Sequence, residues 1–127
     1  MSDKFSGKDK REFFRYRHVE PAHFTEITRS DNTISDLASA ITKNLSASGM
    51  LFTSEYPPRL SSIIILEVDY RTSMLCEEIE ERALMINNKL LGKVVRIEDN
   101  DNGSYDIGIA FVKKSESLPD NVMTLIE

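Results

Sequence analysis

The 127-residue chain has no tryptophan, one cysteine, two histidines, five glycines and four prolines. Each shortage excludes something. The lone thiol, Cys76, forbids an intrachain disulfide and suits a reducing compartment, so the expected localisation is cytoplasmic. His18 and His23 are five apart, with no Cys or carboxylate at ligand spacing. They are expected to be ordinary strand residues, and no metal site is expected. No apolar run approaches the ~20 residues that span a bilayer, so no membrane insertion is expected. No apolar stretch of the kind a secretory signal needs follows Met1-Ser2-Asp3-Lys4. Glycine and proline are too few for a low-complexity chain. With 40% hydrophobic and 8% aromatic residues, the composition is that of a folded protein of one domain.

Positive charge is also short. Sixteen Lys and Arg face 21 Asp and Glu, a net charge of −5. That disfavours broad binding to nucleic acid or to anionic lipid. The first 18 residues reverse the balance: Lys4, Lys8, Lys10, Arg11, Arg15 and Arg17 stand against Asp3, Asp9 and Glu12. A basic arm on an acidic body points to a local anion site rather than a spread basic face.

Residues 11–17 alternate charge with aromatics and read as a helical turn or an extended arm. Residues 19–28 read as a strand with Phe24 and Ile27 inward and Pro21 at an edge or bulge. Ser30-Asp31-Asn32 is a hairpin turn. Residues 34–43 form a second strand of imperfect period, with Leu37 and Ile41 among its apolar positions. Residues 44–49 form a small polar turn, and Met50-Leu51-Phe52-Thr53 a short buried strand. Tyr56-Pro57-Pro58 breaks regular structure. Ile63-Ile64-Ile65-Leu66-Glu67-Val68 is the strongest strand signal. Residues 73–82 suit a short amphipathic helix with Met74, Leu75, Ile79, Arg82 and Ala83 on one side. Glu77, Glu78, Glu80 and Glu81 would face solvent. Residues 89–98 and 105–112 form a hairpin around Asp99-Asn100-Asp101-Asn102-Gly103, with Ile107, Ile109 and Phe111 on one face. A C-terminal helix is expected from Ser117-Leu118-Pro119-Asp120, with Val122, Met123 and Ile126 toward the core. The expected fold is mainly β: a small six-stranded antiparallel barrel with a short C-terminal helix.

No Ser–His–Asp or paired-carboxylate arrangement is visible, and no catalytic residue is assigned. Cys76 adjoins Glu77 and Glu78, which do not favour a thiolate. Residues 99–110 fail as a calcium loop, because glycine comes one position early and Ala110 stands where a glutamate is needed.

Two motifs carry the functional reading. Arg11-Glu12-Phe13-Phe14-Arg15 reads as R-x-x-x-R, and Asn44-Leu45-Ser46-Ala47-Ser48-Gly49 as N-x-S-x-x-G. Composition alone yields the first about 0.5 times and the second about 0.07 times, so the ordered pair is informative where the first is not. Arg11 and Arg15 share a face on a helical turn or in an extended arm. A guanidinium forks onto phosphate oxygens or guanine O6 and N7, and its face stacks on purines. Asn44 and Ser46 offer short polar groups to a base edge. Gly49 permits a positive φ or a close approach of the ligand. Asn44-Leu45-Ser46 also fits a glycosylation sequon, which a cytoplasmic protein would not use.

Together the motifs resemble the signature of the PilZ domain. The segment Gly92-Lys93-Val94-Val95-Arg96-Ile97 and its partner Ile107-Gly108-Ile109-Ala110-Phe111 are similar to that family's closing hairpin. The resemblance implies a PilZ-like β-barrel over residues 19–127, preceded by a flexible arm over residues 1–18. It implies a cyclic di-GMP receptor, not an enzyme, with the dinucleotide as ligand and no other cofactor. Arg11 and Arg15 would clamp it, Asn44 and Ser46 read guanine, and Gly49 form the turn. Lys10 and Arg17 add charge beside the motif without belonging to it. Ordering of the arm would signal to a protein partner. One rival is a PilZ-like adaptor that binds no nucleotide. A second, an oligonucleotide-binding barrel, suffers from the negative charge.

Overall fold

The computed structural model describes residues 16–17, 19–28, 33–34, 37–71 and 73–116. Their strands are β1 (Tyr16–Arg17), β2 (Pro21–Thr28), β3 (Thr33–Ile34), β4 (Ala38–Leu45), β5 (Gly49–Ser54), β6 (Ile63–Glu67), β7 (Met85–Ile86), β8 (Lys89–Asp99) and β9 (Tyr105–Phe111). One helix, α1 (Cys76–Arg82), lies between β6 and β7. The strand order β4-β5-β9-β8-β6-β2 closes through a β2–β4 pairing, giving a six-stranded barrel in which each neighbouring pair is antiparallel. Closure leaves these strands no free edge. Pro21 is the first residue of β2, where a missing N–H disturbs the ladder least.

Period-two alternation fills the barrel. Phe24, Leu45, Met50, Phe52, Ile64, Leu66, Leu90, Val94, Ile107, Ile109 and Phe111 belong to one buried cluster. Phe24 and Phe52 pack with ring centroids 5.1 Å apart. Continuous apolar sequence in β6 has a separate cause: this strand is covered on both sides. Ile64 and Leu66 join the main cluster, while Ile63 joins Ile27, Leu91 and Val112 under Leu84 and Ile86. Helix α1 adds Ile79, which with Leu75 and Ala83 makes an i, i+4, i+8 stripe into the main cluster.

Several expectations are corrected. The strand expected over residues 34–43 is two strands, β3 and β4, and β4 runs on through Asn44 and Leu45. Leu37 and Ile41 are exposed, because residues 39 and 41 take the outward phase of β4. Val19 precedes β2 and is exposed. Met74 and Arg82 face solvent, since the helical spacing gives the inward stripe to Leu75, Ile79 and Ala83. Asp99 ends β8, and the loop is the five residues 100–104, closed by Asn100 N donating to Ser104 O at 3.1 Å. Asp101 and Gly103 take positive φ there, not Asn102. The expected turn at residues 30–32 and the C-terminal helix from Ser117 lie outside the described residues.

Candidate functional site

The site is built by an irregularity in β4. Thr42 pairs with Phe52 and Asn44 with Leu51, so Lys43 is an extra residue in a β-bulge. Strict alternation would put Asn44 on the same face as the buried Thr42 and send Leu45 outward. The bulge resets the phase instead. Lys43 and Asn44 lie side by side away from the core, and Leu45 returns to full burial. Bulges commonly re-aim side chains in this way beside functional sites.

A groove of about 850 Å³ opens here, lined by Val19, Ile41, Thr42, Lys43, Asn44, Leu51 and Thr53. Its walls are apolar at Val19, Ile41 and Leu51 and polar at Lys43, Asn44 and Thr53. Such a mixture suits an organic ligand with polar edges. Asp106 from β9 reaches the same surface. Its Oδ1 accepts a hydrogen bond from Thr53 Oγ1 at 2.8 Å and from Asn100 Nδ2 at 3.1 Å. Lys43 Nζ lies 3.4 Å from Oδ2. The Asn100 hydrogen bond, helped by Thr53 and Lys43, holds the Asp106 carboxyl below its ordinary value and outweighs the burial that opposes it.

At the end of β4, Ser46 is buried, and its hydroxyl organises the turn. It donates to Gly49 O at 3.1 Å and accepts from Gly49 N at 3.1 Å and Ser48 N at 3.3 Å. These bonds use the donor and both acceptor sites of a hydroxyl. Gly49 does not have a positive φ. Its reason is close approach: a Cβ there would run into the Ile109 carbonyl oxygen of β9. Of the two expectations for Gly49, the positive φ is not what the structure has, and the close approach it shows is that of the β9 backbone.

The chain enters this region along β4. Tyr16 pairs with Leu45 and Arg17 with Asn44. Three residues later the chain is tied again. Thr42 N donates to Glu20 O at 2.9 Å, and Glu20 N donates to Thr42 Oγ1 at 3.0 Å. Pro21 then pairs with Ile41. Residues 16–17 and 20–22 thus follow one edge of β4, on either side of the bulge. Of the sequence-derived site residues, the structure brings the Arg17 backbone beside Asn44 and sets Ser46 and Gly49 in the adjoining turn. Lys10, Arg11 and Arg15 lie outside the described residues.

The sequence reading missed Lys43, Thr53, Asn100 and Asp106. Adjacency to Asn44 was a signal for Lys43. None existed for Asp106, which is 63 positions from Lys43 and meets it only through the barrel. Cys76, elsewhere, has its thiol pushed up by burial and then by the Glu80 carboxylate, with the adjoining Glu77 a lesser cause. Among the described residues no helix is long and apolar enough to cross a membrane.

The fold and site define a small closed antiparallel barrel with a bulged strand that turns Asn44 away from the core, followed by a turn built on the buried Ser46. Compared with protein-family models, residues 9–127 match the PilZ domain, and the chain belongs to that family. Among solved structures it is similar to the PilZ domain of CeSA from a cellulose-synthesizing bacterium. The identity is 15% and the TM-score 0.43, over 88% of this chain and 90% of that one. No curated protein matches the chain.

Proposed function

We propose that this chain is a cyclic di-GMP receptor, a binding module rather than an enzyme. Family membership supports the ligand class. The observation that carries the site is the pairing of β1 with β4, Arg17 opposite Asn44. Arg15 is one peptide unit, about 3.8 Å in Cα spacing, from Tyr16. The chain that follows the R-x-x-x-R segment therefore joins β4 beside the N-x-S-x-x-G segment, although 28 residues separate Arg15 from Asn44 in sequence.

Division of labour follows from the chemistry. Arg11 and Arg15 take phosphates and guanine faces. Asn44 reads a guanine edge with its amide, and Ser46 and Gly49 shape the turn beside it. Val19, Ile41 and Leu51 offer apolar contact to a base. Ligand anions draw the arginines over the groove, and the changed surface signals to a protein partner. Calorimetric titration with cyclic di-GMP, using GMP and GTP as controls, tests the reading. Saturable binding of the cyclic dinucleotide well ahead of both controls is expected; no heat at saturating ligand would sink it. The adaptor reading would then take its place, favoured by the exposed side chains of Leu37, Tyr56 and Leu60.

A further inference from the structure

We propose that Lys43 is a ligand-contacting residue of this groove, leaving the Asp106 carboxylate to meet a phosphate of the bound dinucleotide. The inference rests on the cyclic di-GMP reading and adds a residue that neither motif contains.

Three observations support it. First, the bulge sets Lys43 beside Asn44, and both line the same groove. A cation next to a base-reading amide is well placed for a ligand that joins bases through phosphates. Second, Lys43 is loosely held. Its nitrogen lies 3.4 and 3.5 Å from the two Asp106 oxygens, and its side chain is 48% exposed. Charge-assisted bonds of full strength are shorter, and exposed pairs contribute little. Third, Asp106 does not depend on Lys43. Thr53 and Asn100 both donate to it, at 2.8 and 3.1 Å. Departure of the ammonium leaves the carboxylate hydrogen-bonded, so the exchange does not strand a charge. The four-carbon stem of lysine gives Nζ the freedom to swing. Asp106 thus acts as a parking partner that competes with the ligand.

The test is a titration with cyclic di-GMP at two ionic strengths, on the full chain and on Lys43→Gln, Lys43→Arg and Asp106→Asn. Lys43→Gln should weaken binding about tenfold, the loss of one charge-assisted hydrogen bond. Its salt dependence should be flatter than that of the parent. Lys43→Arg should retain most of the affinity. Asp106→Asn should tighten binding, because the amide still accepts from Thr53 and Asn100 but no longer holds the ammonium. That gain should vanish in the Lys43→Gln background. Unchanged affinity and salt slope in Lys43→Gln, with the parent binding normally, overturn the proposal. A gain from Asp106→Asn that persists without Lys43 overturns the exchange. Failure of the parent itself to bind overturns the receptor reading instead.

Discussion

At the scale of single residues, Ser46 and Asp106 are polar groups whose partners are satisfied inside the protein. Ser46→Ala would leave the Gly49 N–H without its acceptor in a buried turn. The expected cost is about 1–3 kcal/mol. Urea denaturation should show a lower midpoint with an unchanged slope. Asn44→Ala should behave differently: it should narrow the preference for cyclic di-GMP over cyclic di-AMP, because phosphate contacts do not distinguish the bases. Competition between the two dinucleotides measures that ratio, and full retention of guanine preference would move base reading elsewhere in the groove. Asp106 gives a pH prediction. Its carboxyl sits below the ordinary value in the folded protein, held there first by Asn100. A depressed folded value means the unfolded chain binds the proton more readily. The stabilisation is therefore present above the unfolded pKa, about 3.9, and is lost as pH falls through and below it. The stability gap between the parent and Asp106→Asn should be steady near neutral pH and shrink below about pH 4. Urea midpoints across that range check it.

Elements divide the chain into what builds the barrel and what uses it. The two-residue β1 fixes where the chain first joins β4. Arg11→Ala and Arg15→Ala should each weaken cyclic di-GMP binding by roughly 1.5–3 kcal/mol, the range for hydrogen bonds to charged groups. Melting of the ligand-free protein should barely change. A variant that unfolds the free protein while sparing binding would assign the segment a structural role. Helix α1 shows the opposite balance. Ile79 is its one buried residue and is fully enclosed. Ile79→Ala should cost about 2–5 kcal/mol in chemical denaturation.

For the whole molecule, one closed barrel couples the site to global stability. The groove is formed by β4 and β5 with Val19 at its margin, and both strands contribute to the main buried cluster. A ligand that binds only the folded form should therefore stabilise the protein as a unit. At a hundredfold excess over Kd the gain is about 2.7 kcal/mol. Thermal melts with increasing cyclic di-GMP should shift upward together, by fluorescence and by circular dichroism alike.

Local pattern decided much of this protein. Alternation in Ile107, Ile109 and Phe111 set the face of β9 in advance, and the uninterrupted run Ile63-Ile64-Ile65-Leu66 marked a strand covered on both sides. Those signals are legible because a side chain's direction along a regular strand follows from its neighbours alone. The motif pair pointed to the family, and through that resemblance to the proposed ligand, because a short motif is read from residue types and spacing, whatever the fold around it. Tertiary structure decided the rest. An extra residue at Lys43 breaks the alternation, so the outward turn of Asn44 depends on how β4 meets β5. The requirement for glycine at position 49 comes from the Ile109 carbonyl on another strand. Lys43 and Asp106 become partners only because β5 pairs with β4 on one side and with β9 on the other. Contacts between distant segments are set by the pairing of whole strands, and no local spacing records them.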